Sequence, residues 1–133
     1  MINVTGVPGG FPAGTIRGKT AEAFALTPAE IPVPAGTEFI QLRWDLPQGP
    51  RSALIVSLRY ATINNPSVLT RHVLCTFIDD GQDSIPFRWH QNWSSSPEGR
   101  KVVATRLRTT YVAAGEGNLG VISTYQVPTP PRP

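Results

Sequence analysis

Residues 53–86 decide the fold: ALIVSLRYATINNPSVLTRHVLCTFIDDGQDSIP. Two apolar runs lie in this stretch, Leu54–Tyr60 and Val68–Ile78. They are joined through the breaker Asn64-Asn65-Pro66 and closed by Asp79-Asp80-Gly81. β-Branched and aromatic residues suit a pleated, half-buried surface, whereas Asn, Asp, Gly and Pro supply turn conformations. The pattern predicts the two central strands of an antiparallel sandwich, with the other segments pairing around them.

Working outward, Glu38–Trp44 alternates, with Ile40, Leu42 and Trp44 on one face and Phe39, Gln41 and Arg43 on the other. Ala53–Tyr60 places Leu54, Val56, Leu58 and Tyr60 together, opposite Ser57 and Arg59. Arg71–Ile78 is apolar on both faces, and Ser84–His90 predicts a short strand around Ile85 and Phe87. Arg100–Val112 is the longest alternating segment. Val103, Leu107 and Tyr111 face one way, and Arg106 and Arg108 the other, where they are expected to form a solvated face or a basic ridge. Ala113–Asn118 reads as a hairpin loop and Leu119–Val127 as the last strand.

Upstream, residues 1–20 read as an extended arm with a short strand near Thr15–Arg17. Ala21–Leu26 admits two helical turns at most before Pro28, or an edge strand. Residues 128–133 form a Pro-rich tail. The expectation is an all-β, two-sheet antiparallel sandwich over residues 21–127, of about seven strands spaced roughly ten residues apart.

Composition agrees with this class. The chain has 133 residues, enough for one domain with a core, and its 14 Pro and 12 Gly disfavour long helices. Net charge is +3, with lysine only at Lys19 and Lys101. That excess is too small to argue for nucleic acid as a partner. Cys75 is the one cysteine, so it reads as a small core hydrophobe with no intrachain disulfide open to it. No apolar run reaches the length of a membrane-spanning helix. The N-terminus carries neither a basic nor an apolar leader pattern, which fits a cytoplasmic chain or one numbered after removal of a signal segment.

The strings LRWDLP (42–47), VLCTFIDDGQDSIP (73–86), VVATRLRTTYV (102–112) and LGVISTYQV (119–127) together resemble bacterial immunoglobulin-like β-sandwich modules. In those modules a strand ends in Cys, an Asp-Gly turn comes next and an Ile-Pro step opens the next segment. The resemblance implies a non-catalytic module, periplasmic or secreted, with the cytoplasm as the alternative. It transfers no catalytic residue, and the chain lacks the second Cys of true immunoglobulin domains.

No motif gives a catalytic site, a metal site or a cofactor. Ala13–Thr20 fits a phosphate loop loosely, but no strand precedes it and Pro28 breaks the segment after it. Asp79, Asp80 and Asp83 read as a turn, with a cation site as the lesser alternative. His72 and His90 are too few to hold a metal. The strongest surface signal is Arg88-Trp89-His90-Gln91-Asn92-Trp93, since Trp and Arg are over-represented in interface hot spots. The sequence therefore points to a non-catalytic interaction or structural module docking onto a larger protein assembly. Arg88, Trp89, Trp93, Arg106 and Arg108 are its candidate contacts. A carbohydrate-binding module using Trp89 and Trp93 is the alternative.

Overall fold

The structure is a computed structural model, and it describes residues 2–4, 14–27, 39–49, 52–61, 68–90, 100–114 and 117–129. In chain order the strands are β1 (Ile2–Val4), β2 (Gly14–Ile16), β3 (Leu26–Thr27), β4 (Ile40–Trp44), β5 (Ala53–Tyr60), β6 (Arg71–Ile78), β7 (Gln82–Ile85), β8 (Arg100–Ala114) and β9 (Gly117–Thr129). One helical turn, α1 (Phe87–His90), separates β7 from β8.

Seven strands make two antiparallel sheets, ordered β3-β4-β7 and β6-β5-β8-β9. They stack as a sandwich because each sheet has one apolar face. Leu26, Ile40, Leu42, Trp44 and Ile85 project from the three-stranded sheet. Leu54, Val56, Leu58, Tyr60, Val102 and Ala104 project from the four-stranded one, and Val73, Cys75, Phe77 and Val127 pack at the margin. Register respects the alternation: Leu54, Val56 and Leu58 pair with Phe77, Cys75 and Val73 on one side and with Arg106, Ala104 and Val102 on the other. Each fully buried aliphatic side chain contributes about 1.5–3 kcal/mol.

β4, β5 and β6 match the expected segments closely. Asp45 follows the last residue of β4, and Asp79 follows that of β6. Gly81 has φ of 97°, a conformation that favours glycine and turns the chain from one sheet to the other. The first twenty residues hold a ribbon in which Ile2 pairs with Ile16 and Val4 with Gly14.

Five expectations need correction. β6 is not central but ends its sheet, because alternation specifies faces and carries no information on lateral neighbours. Ala21–Leu26 is neither helix nor full strand; only its end enters β3. The segment expected as one strand over Ser84–His90 divides at Pro86, which stops β7 and accepts the Trp89 amide at 3.0 Å. The loop expected over Ala113–Asn118 is tighter, since Ala113 pairs with Asn118 and Ala114 with Gly117. The Pro-rich tail expected from residue 128 starts later, since β9 carries on through Pro128 and Thr129; residues 130–133 lie outside the described residues.

Candidate functional site

The arginine pair of β8 is the largest departure from expectation. Arg106 and Arg108 do share a face, but it is the inner one: Arg106 is 1% exposed and Arg108 8%. No basic ridge exists there. The physical reason is a ready-made acceptor set at that end of the sandwich. Asp79 is itself 1% exposed. Its Oδ1 accepts from Arg106 Nη2 at 3.0 Å and from Trp44 Nε1 at 2.8 Å, and its Oδ2 accepts from Ser52 Oγ. Arg106 Nε stands 2.7 Å from Oδ2 as an ion-pair contact, without an aligned hydrogen bond of its own.

The remaining guanidinium donors reach backbone. Arg106 Nη1 donates to the Glu22 and Ala23 carbonyls, both at 3.3 Å, and Nη2 also donates to the Asp45 carbonyl. Phe24 lies under the guanidinium with its centroid 4.7 Å from Cζ. Arg108 Nη1 donates to the Thr20 carbonyl at 3.4 Å and sits 3.7 Å from Glu22 Oε1. The Thr20, Glu22 and Ala23 carbonyls are groups a helix over 21–26 would have used internally, and here β8 takes them instead. A buried ion pair with its hydrogen-bond partners in place resists removal of either member, so this cluster is an architectural clamp.

Trp89 has a different setting. It is 51% exposed, and the Arg88 guanidinium lies 5.1 Å from its ring centroid, a cation–π contact at the surface. The Tyr60 hydroxyl donates to the Trp89 carbonyl at 3.5 Å, which ties α1 to the core. Beside Trp89 a groove of about 470 Å³ runs along β6, bounded by His72, Cys75, Phe77, Ser84 and Pro86. Its floor is apolar because Val73, Cys75 and Phe77 alternate inward there. Burial pushes the Cys75 thiol above its ordinary value, and the charge of Asp83 adds to that. Trp93 lies outside the described residues, so its relation to Trp89 is not part of this geometry.

Ser57 Oγ and His72 Nε2 are 2.8 Å apart on neighbouring strands, a pairing sequence reading missed because the two residues are distant in the chain. Both are on the outside of the sheet. Ser57 lies in the middle of β5, which pairs on both sides, so the amides around it serve the ladders with β6 and β8. Those backbone amides are therefore engaged and do not form an oxyanion pocket. The loose phosphate-loop motif leads into residues 17–25, which form no helix, so the amide cradle that pattern needs is not built. Asp79 is committed to Arg106, which removes it from any cluster with Asp80 and Asp83. Among the described residues no group of three His, Cys, Asp or Glu side chains converges, and no helix is long and apolar enough to cross a membrane. No family model matches the chain, and neither curated proteins nor solved structures give a match.

Proposed function

We propose that the chain is a non-catalytic interaction module that holds a protein partner along the β6 groove. The observation that carries this is the half-exposed Trp89, braced by Arg88 at the mouth of an apolar-floored groove. An indole with one apolar body and a nearby cation is the composition of an interface anchor. β6 ends its sheet among the described strands, so an extended segment can lie beside it and place alternate side chains in the groove. Arg106 and Arg108 drop out of the contact set because they are spent inside.

The strand grouping favours an immunoglobulin-like origin for the module. β3-β4-β7 and β5-β8-β9 correspond to the A-B-E and C-F-G groupings, while the fourth strand joins the second sheet rather than the first. An extracytoplasmic placement goes with that reading. A glycan is the second candidate ligand, favoured by the exposure of Trp89; Arg88 already lies over that ring.

Cys75 supplies the test. Alkylation of this thiol should slow when a partner or an extended apolar peptide occupies the groove, and Trp89→Ala should weaken that protection about tenfold or more. Unchanged labelling on complex formation would remove the groove from the reading. A glycan array with bound sugars and no protein partner would favour the second ligand.

A further inference from the structure

The outer face of the four-stranded sheet sets large apolar side chains among hydroxyls. Ile78, Leu74 and Ile122 are 64%, 62% and 66% exposed. Between them lie half-buried Ile55, Val103 and Leu107, and the strand positions of this face carry no carboxylate. A depression of about 430 Å³ opens among Ala53, Thr76, Ile78, Leu107 and Thr109, wide enough to admit an opposing side chain. The two ends differ. At one, the exposed cations Arg59 and Lys101 pair across β5 and β8. At the other, Tyr111 is 72% exposed, and its ring lies across Gly120 so closely that a Cβ there would come within 2.9 Å of Cε1. The ring therefore turns its free face to solvent.

We propose that this face is the interface of a two-fold homodimer in which the strands of the two copies run antiparallel. The face carries both halves of its own complement: cations at one end, an aromatic π face at the other, and an apolar centre. A two-fold axis across the strands lays Lys101 of one copy over Tyr111 of the second, a cation–π pairing made twice. An axis along the strands would instead stack Arg59 and Lys101 on their own copies. In the antiparallel arrangement the two cationic ends stand about 30 Å apart, several screening lengths at physiological salt. β8 and β9 oppose their copies over this length, whereas β5 and β6 end opposite Leu107 and oppose theirs only near the axis, which gives about 400 Å² per copy, or about 800 Å² in total, below the standard size of a specific interface. The dimer should accordingly be weak, with Kd of about 0.1–1 mM. This surface adjoins the β6 groove and shares Leu74 and Thr76 with it, while Trp89 and Cys75 lie on the groove's other side.

Sedimentation equilibrium of the full chain over a range of concentrations tests the proposal, with circular dichroism to verify folding. Thr105→Glu, at the centre of the face, should give a folded monomer, while Trp89→Ala should dimerise like the parent. Lys101→Glu and Tyr111→Lys should each weaken the dimer about tenfold. Mixing those two variants should restore association, because each hetero-pair recovers one parental contact and gains a Glu–Lys contact. A chain that stays monomeric up to about 2 mM, against the Kd of about 0.1–1 mM expected for such an area, overturns the proposal. So does a dimer indifferent to Thr105→Glu, or a mixture that fails to recover.

Discussion

The two faces of β8 invert the usual rule. Its inner face runs Val102, Ala104, Arg106, Arg108, so it begins apolar and ends in two buried cations. Its outer face runs Val103, Thr105, Leu107, Thr109 and carries no charge between Lys101 and Tyr111. Pattern alone separates these faces, but hydrophobicity does not say which is inside. What decides it is the partner waiting across the sandwich. Asp79, held by Trp44 and Ser52, together with the carbonyls of Glu22, Ala23 and Asp45, makes the interior the better solvent for a guanidinium. Burial of a charge is tolerated only when such a set is complete.

The contrast breaks most severely at Asp79. Asp79→Ala strands Arg106 and removes acceptors for Trp44 and Ser52, so it should cost about 3–5 kcal/mol by urea denaturation, and Arg106→Ala a similar amount. If either variant keeps the parental midpoint, the cluster is not a clamp. Core aliphatics give the next comparison. Leu58→Ala should cost about 2–5 kcal/mol, whereas Leu107→Thr, one face over, should stay within about 0.5 kcal/mol. Equal losses at the two sites, at a concentration where the chain is monomeric, would mean the outer face is packed against something within the chain. Arg108→Ala should cost only about 1 kcal/mol, because its pair with the partly exposed Glu22 is long and screened.

The smallest effect is alkaline. Burial raises the Tyr60 phenol above its ordinary value, with Arg71 opposing, and burial likewise raises the Cys75 thiol. Folded chains then hold these protons more tightly than unfolded ones. Their contribution is fully present below the ordinary thiol and phenol ranges and is lost as pH climbs through and beyond about 9 to 10. The urea midpoint should fall modestly between pH 8 and pH 11, and less so in Tyr60→Phe.

Much of the fold was legible because β4 and β5 alternate and β6 is a short run rich in apolar residues closed by Asp79-Asp80-Gly81. The parts that were not legible depend on pairings between distant residues. Nothing near Arg106 in the chain reveals that Asp79 waits for it, so the arginines read as surface. Asp79 itself sits in an Asp-Asp-Gly string, which reads as turn chemistry, and Gly81 does make the turn while Asp79 points inward. Of the candidate contacts, Arg88 and Trp89 are at the surface because they lie in a turn just after a proline, a local feature the sequence displays.

The clamp also imposes an order on biosynthesis. Arg106 bonds residues 27, 61, 83 and 84 positions before it, all made earlier by the ribosome. Translation at roughly 5–20 residues per second leaves the Asp79 carboxylate without its cation for about one to five seconds after it is synthesised. Through that interval the nascent N-terminal two thirds has no means of closing its polar interior. Commitment to the native state is thereby deferred until the penultimate strand emerges.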